Sequence, residues 1–415
     1  MLDINLIREK TEKIKQNLLK RTTEDKLDFV RILKLDDERK ELIVKADGLK
    51  TERNKHSKTK PTPEMIEEMK KIGEGIKELD KKLKEVETKL NEALAELPNI
   101  VADDVVAGGK ENNKVVKTFG DKPEFSFKTK DHVELATELG LIDYERGAKM
   151  SGSGFWVYKG DGALLEWALL NYFVDFHKKN NYTFILPPYL LSEESAYTSG
   201  HLPKFRDELY WTQDKLCLNA TSEMMLGNYH RDEILDGSEL PLKYYAYSPC
   251  FRREAGSYRK EERGMIRGHQ FNKIEMFQFV ASEDSWGAFD ELLANAEKLV
   301  EGLGLHYQTA QLAAGDCSSA MAKTNDIEVW IPSMEIYKEV SSVSNALDYQ
   351  ARRGNVKYKD KDGKKYFVHT LNASGLATSR LIPAILEQFQ QEDGSVAVPE
   401  VLRGWVGKDI LNNNL

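Results

Sequence analysis

The chain has 415 residues, of which 40% are hydrophobic and 31% charged, with a formal net charge of -8. That length exceeds one ordinary domain and predicts two. The acidic balance excludes a protein that coats nucleic acid indiscriminately, so any nucleic-acid contact must use a local basic surface. The cysteines, Cys217, Cys250 and Cys317, form no CxxC and have no His cluster beside them, which speaks against a disulfide framework or a structural zinc. The opening "MLDINLIREKTEKIKQ" carries charges too early for a secretory signal, and no apolar run reaches membrane-spanning length. A reducing, cytoplasmic setting is the expectation.

From about Lys26 to Leu97 the pattern is helical. Met65, Met69, Ile72, Ile76, Leu79, Leu83, Val86, Leu90, Ala93 and Leu97 alternate four and three apart, the seam of a coiled coil. A weaker stripe at Ile32, Leu35, Leu42, Ala46 and Leu49 is interrupted by Arg39. Between them "KPTPE", with Pro61 and Pro63, cannot continue a helix, so the two halves fold back as an antiparallel hairpin that Pro98 ends. The tip, "RNKHSKTKPTP" from Arg53 to Pro63, holds cations and no carboxylate. It reads either as a solvated turn or as a phosphate contact, which needs Lys and Arg without competing acids.

After a first domain over residues 1–100 and a linker over 101–116, the texture changes for residues 117–415. Strand-like runs such as "YTFILPPYLL", "KIEMFQFV", "DIEVWIP" and "YFVHTL" mix with amphipathic helical stretches such as "GALLEWALLNYFVDFHKKN". The strands come in runs rather than in βαβ alternation, which favours an α+β domain with a mainly antiparallel sheet flanked by helices. Neither a Rossmann fingerprint nor a P-loop is present.

The densest mixture of charge and aromatics runs from Cys250 to Phe279, "CFRREAGSYRKEERGMIRGHQFNKIEMFQF". Read as two strands around a loop, it puts Arg252 and Glu254 on one face of the first strand. The second strand then carries Arg267, Phe271 and Glu275 on one side, and Ile274, Met276 and Gln278 toward a core. Arginine recognises carboxylate and phosphate through a bidentate fork, and a phenylalanine ring offers a flat surface to a planar base. This suits a nucleoside triphosphate with a small zwitterion; a charged hairpin in solvent is the competing reading.

The stretch "FRREAGSYRKEERGMIRGHQFNKIEMF" resembles motif 2 of class II aminoacyl-tRNA synthetases, specifically of the seryl-tRNA synthetases. "TFILPPYLL" is similar to motif 1, with its dimer-interface proline, and "HTLNASGLATSRLIPAILEQFQ" to motif 3. "HVELATELGLIDYERGAKMSGSGFWVYKGDGALLEWAL", "TSGHLPKF", "NATSE" and "DIEVWIPSMEIYKEVSSVSNALDYQARR" follow the family's order, and the hairpin resembles its tRNA-binding arm.

The resemblance implies activation of L-serine with ATP to seryl-adenylate, release of pyrophosphate, and transfer of the seryl group to tRNA(Ser), with tRNA(Sec) as a further acceptor. It implies Arg252, Glu275 and Arg380 as catalytic residues, with Arg252 bridging serine carboxylate and α-phosphate. Glu254 would face the adenine amino group, Phe271 and Arg380 would sandwich the base, and Arg267 and Arg380 would hold phosphates. Arg253, Gly268, Val340 and Ser341 complete the ATP set. Glu339 and Ser342 would ligate Mg²⁺, a hard cation suited to oxygen donors; no zinc is implied. Thr221, Ser222, Glu223, Glu275, Thr370, Asn372 and Ser374 resemble the serine pocket. The partner of the ammonium stays open between Glu223 and Glu275, with Glu275 favoured to touch both ammonium and hydroxyl. Lys50, Arg53, Lys55, Lys58 and Lys60 on the arm, and Arg259, Lys260 and Arg263 in the motif 2 loop, would meet tRNA. A homodimer is implied, the arm of one subunit serving the other's active site.

Some positions depart from the family pattern. Ser379 stands where glycine usually precedes the motif 3 arginine, and Gly268 replaces a valine. Ser222 replaces an alanine, and Val343 and Ala346 replace cysteines. They suggest a divergent lineage and bear on the geometry of the ATP site. Two other readings compete with a serine–tRNA ligase. One is a synthetase-like paralogue, either non-catalytic or loading another carrier, and the other is a coiled coil that docks protein. Retention of Arg252, Glu275 and Arg380 and the basic arm tip favour the serine–tRNA ligase. His269 and the buried-type Cys250 and Cys317 read as structural.

Overall fold

The computed structural model describes residues 1–56, 62–255 and 264–413. The chain forms two compact units, Met1–Ile100 and Val101–Leu415.

In the first unit, the helices Phe29–His56 and Pro63–Glu96 make the expected pair. The second helix starts where Thr62 Oγ1 accepts from the Met65 backbone N–H and Pro63 occupies the first turn, a position where its missing N–H costs nothing. Ile32, Leu42 and Ala46 are buried along one helix, and Ile72, Ile76, Val86, Leu90 and Ala93 along the other. The weaker first stripe has a physical reason. Asp36, not Leu35, is fully buried there, and it is ion-paired to Arg8 and Arg39 at 2.7 Å and to Lys40 at 2.9 Å. Burial pushes its carboxyl up, but the bonds from Arg39, Lys40 and Arg8 outweigh that and hold its pKa at about 2.

An eight-stranded sheet centres the second unit. In chain order its strands are β1 (Lys114–Phe119), β2 (Thr183–Ile185), β3 (Leu242–Phe251), β4 (Gln270–Val280), β5 (Tyr307–Gln311), β6 (Lys323–Ile331), β7 (Ile336–Leu347) and β8 (His369–Ala377). Across the sheet they run β1-β5-β6-β7-β8-β4-β3-β2. All neighbours are antiparallel except the edge pair β2 and β3.

The pleat decides what each face does. Ile274 and Met276 of β4, Val343 of β7, and Leu371 and Ala373 of β8 join one apolar core. That core also takes Leu165, Leu169 and Phe173 from helix Asp161–Lys179, Leu292 and Leu299 from Ser285–Gly302, and Leu381 and Ile385 from Thr378–Gln388. The alternate residues of the same strands, Phe271, Lys273, Glu275, Asn372 and Ser374, line cavities on the other side.

One irregularity aims two further side chains. Ile327 pairs with Ser341 and Glu328 with Glu339, so β7 carries one extra residue, Val340, in a bulge. Glu339 and Ser342 are three apart and would face opposite ways on a regular strand. The bulge lets both line the same cleft.

Candidate active site

Motif 2 residues flank the strands rather than lying on them. β3 ends at Phe251 and β4 begins at Gln270, so Arg252, Glu254 and Arg267 sit in the connecting backbone. This corrects the strict period-two placement of these three. Glu254 takes the left-handed conformation, φ 49°, and its carboxylate receives Arg267 Nε at 2.7 Å. The Arg252 N–H donates to the His269 carbonyl at 3.0 Å, and His269 Nδ1 lies 3.0 Å from the Arg252 carbonyl. His269 thus fastens the Arg252 backbone. The Arg252 guanidinium lies over the Phe271 ring, 5.2 Å from its centroid.

Two cavities share Arg252, Glu254, Arg267, Glu339 and Ser342 in their walls, one of about 500 Å³ and a larger one of about 1170 Å³. Thr221, Glu223, Glu275, Asn372 and Ser374 line the smaller. Arg380 lines the larger, where its Nη1 donates to the Glu339 carbonyl at 2.6 Å and lies 3.4 Å from Glu339 Oε2. Burial alone would raise the Glu339 pKa, but the charges of Arg380, Arg252 and Lys273 outweigh it and hold the carboxyl below its ordinary range. Asp326 of β6, paired in register with Ser342 of β7, also lines the larger cavity. Its Oδ1 is buried without a hydrogen-bond partner, and burial, followed by the Glu339 charge, pushes its pKa well up.

The carboxylates in the smaller cavity differ. Glu275 is fully buried: Asn372 Nδ2 donates to Oε1 at 3.1 Å, Thr221 Oγ1 donates to Oε2 at 3.1 Å, and Lys273 Nζ pairs with Oε2. Glu223 receives Gln350 Nε2 at 2.7 Å, and Thr370 Oγ1 donates to Gln350 Oε1 at 2.7 Å. Burial, followed by the negative charge of Glu275, raises the Glu223 pKa to about 7. His201, also in the wall, is pushed down to about 3 by burial and by the nearby Arg252, so its ring is neutral.

Some expected residues do not reach the cavities. Arg253 is exposed, and its Nη1 donates to the Asp207 carbonyl at 3.2 Å. Ser222 is buried with its Oγ 2.7 Å from Ser248 Oγ, which gives the departure from alanine a partner. Thr370 acts only through Gln350, and Ser341 Oγ donates to the Ser374 carbonyl at 2.5 Å. Val340, Gly268 and Ser379 line a small recess beside Phe271 and Arg380. A Cβ on Gly268 would lie 2.1 Å from the Trp156 ring, so the absent valine side chain is matched by a tryptophan filling its place. On the arm, Arg53 and Lys55 are exposed, and Lys50 lies 3.4 Å from Asp80. Lys58, Lys60, Arg259, Lys260 and Arg263 lie outside the described residues. Sequence reasoning missed Lys273, Gln350 and Asp326. For Lys273 the signal was present, since it falls between Phe271 and Glu275 at a spacing of two.

Residues 204–389 match the family described as tRNA synthetase class II core domain (G, H, P, S and T). The antiparallel sheet and its charged cleft are therefore those of a class II aminoacyl-tRNA synthetase. Residues 1–101 match the Seryl-tRNA synthetase N-terminal domain. The chain is 56% identical to serine–tRNA ligase 2 of Clostridium acetobutylicum, covering 99% of this chain and 100% of the relative. It is 45% identical to the serine–tRNA ligase of Bacillus subtilis, over 98% of each. The solved seryl-tRNA synthetase of Pyrococcus horikoshii complexed with ATP superposes with a TM-score of 0.92 at 35% identity, covering 100% of both chains. The chain belongs to the seryl-tRNA synthetase family.

Proposed function

We propose that the chain is a serine–tRNA ligase, with the smaller cavity as its serine pocket and the larger as its ATP cleft. The observation that carries this reading is the buried polar set around Glu275. A serine hydroxyl must both donate and accept. Glu275 offers it an acceptor, and Asn372 Nδ2 and Thr221 Oγ1 stand beside that carboxylate at 3.1 Å as polar partners. An alanine methyl group makes none of the hydrogen bonds a hydroxyl makes here and leaves the buried Asn372 Oδ1 without a partner, which is how such a pocket discriminates. Because three groups already engage Glu275, the serine ammonium pairs with Glu223, whose carboxyl lines the cavity.

Arg252 lies in both cavity walls, where a cation meets the serine carboxylate and the α-phosphate together. In-line attack by that carboxylate needs positioning and charge neutralisation rather than a protein nucleophile. Arg267 and Arg380, held by Glu254 and Glu339, exchange these partners for phosphate oxygens. Phe271 supplies the base-stacking ring. Among the described residues no group of three or more His, Cys, Asp or Glu side chains is placed to hold a metal ion. The oxygen donors Glu339 and Ser342, with the unpartnered Asp326 Oδ1 nearby, fit a Mg²⁺ that arrives with the triphosphate. Such an ion supplies charge neutralisation at the phosphates.

The reading extends to partners. Leu164, Trp167, Phe184, Leu186 and Leu190 are exposed on the Asp161–Lys179 helix and around edge strand β2, a patch suited to self-association. We assign it to a homodimer in which the arm of one subunit binds the tRNA charged by the other. No helix among the described residues is long and apolar enough to cross a membrane, and we place the enzyme in the cytoplasm. The test is serine-dependent ATP–pyrophosphate exchange with Mg²⁺, lost on Arg252→Ala. A folded wild-type protein without serine-dependent exchange would sink the reading.

A further inference from the structure

Lys273 is 5% exposed, an unusual place for an ammonium, which tolerates burial only when its donors are matched. Here they are. Nζ donates to Thr221 Oγ1 at 2.7 Å and to Ser374 Oγ at 3.4 Å, and it pairs with Glu275 Oε2. Three donors meet three oxygens, all belonging to residues of the proposed serine pocket. Register explains the placement: Ser374 lies opposite Glu275 across β8 and β4, and Lys273 is two residues before Glu275 on the same face of the strand.

The contacts also orient hydroxyls. Thr221 Oγ1 accepts from Lys273, so its own proton is directed to Glu275 Oε2, 3.1 Å away. Without the lysine, Glu275 would be a fully buried carboxylate with only neutral donors. It would then draw in any cation, including the ammonium common to all amino acids. With Lys273 paired at Oε2, Glu275 already has a cation beside it and acts as an acceptor for a neutral hydroxyl. The ammonium is left to Glu223.

Resting on the serine-pocket reading above, we propose that Lys273 is a positioning residue for amino-acid specificity. It holds Glu275, Thr221 and Ser374 in the arrangement that reads the serine hydroxyl. Nothing in this role requires contact between Lys273 and ATP.

The test is amino-acid-dependent pyrophosphate exchange by the full-length protein, comparing wild type, Lys273→Met, Glu275→Gln and the double variant. Lys273→Met lowers kcat/KM for serine by about 100-fold, as expected for breaking a buried hydroxyl-reading set. It leaves the KM for ATP near the wild-type value and changes the low alanine rate far less, so the serine-to-alanine ratio collapses. The double variant buries no lone charge, so it remains a folded comparison even where Lys273→Met alone misfolds. Acting through Glu275, the lysine substitution adds little to the loss caused by Glu275→Gln. A Lys273→Met protein with the wild-type serine-to-alanine ratio overturns the proposal, as does a double variant whose loss is the product of the two single losses. Absence of serine exchange in the wild type would instead strike the underlying pocket reading.

Discussion

Replacing Glu223 by glutamine separates a charge from a shape. Burial and the Glu275 charge raise the Glu223 pKa to about 7, so the carboxyl is about half ionised at neutrality. On the proposed reading, only the ionised form would pair with the serine ammonium. Because the free-site pKa is raised, the cation-binding form is lost as pH falls through neutrality, and serine binding drives a proton off. For one such group the serine KM at about pH 6 is about tenfold its value at about pH 8. Glu223→Gln keeps the side-chain length and a polar contact to Gln350 but cannot ionise. It flattens the pH profile and lowers kcat/KM for serine by about 100-fold, the worth of a charge-assisted bond of ~2.7 kcal/mol. The assay is pyrophosphate exchange at saturating ATP across that pH range, with the KM for ATP as control. Calorimetric titration in two buffers of different ionisation enthalpy counts the released proton. A wild-type serine KM that stays flat through neutrality refutes the reasoning, and so does a Glu223→Gln variant with unchanged serine affinity.

Gly268→Val drives a side chain into the Trp156 ring, which a Cβ would approach to 2.1 Å. It destabilises the protein by about 1–3 kcal/mol in urea unfolding and raises the KM for ATP, and adding Trp156→Leu restores part of both; unchanged stability in the single variant would refute this packing account. Glu166 is a buried carboxyl raised by its burial to about 7, with Asn272 and Thr378 each donating to Oε1 at 2.7 Å. Its raised folded pKa gives a contribution that is full below the ordinary carboxylate pKa and lost as pH rises through neutrality, about 3 kcal/mol in all. Denaturation of Glu166→Gln at about pH 5 and about pH 8 should therefore show the variant gaining on the wild type at the higher pH, and a constant difference would contradict the assignment. On the arm, Arg53→Glu with Lys55→Glu leaves pyrophosphate exchange intact. It lowers kcat/KM for tRNA charging by about tenfold or more and weakens its salt dependence; equal charging would remove the arm from tRNA recognition.

Regular repetition made much of this legible in the sequence. The heptad stripe predicts both arm helices because one apolar residue per turn suffices to mark the seam. Alternation in "FNKIEMFQF" places Ile274 and Met276 in the core and Phe271 and Glu275 opposite them, as the structure has them. Where the backbone breaks its period, the sequence is silent. Nothing local marks Val340 as the bulged residue that turns Glu339 and Ser342 to one side, and Arg252, Glu254 and Arg267 are aimed by non-strand backbone. Long-range compensation is equally hidden. Asp36 reads as a surface acid until Arg8 is brought beside it, and Gly268 reads as a lost side chain until Trp156 occupies the space. Lys273 is a different case, since its spacing was visible. A lysine in a strand reads by default as a solvated edge charge, and only the oxygens of Thr221, Glu275 and Ser374 show it to be part of the pocket.

On the proposed reading, this cleft activates serine and recognises it by its hydroxyl. The most direct measurement is ATP–pyrophosphate exchange by the full-length protein with serine, alanine, glycine, threonine and cysteine offered separately. Serine should give strong exchange and alanine a rate lower by about 10⁴-fold, because a methyl group cannot make the hydrogen bonds that Glu275 and Asn372 Oδ1 offer a hydroxyl. Comparable rates for serine and alanine, or exchange with another amino acid in place of serine, would contradict it.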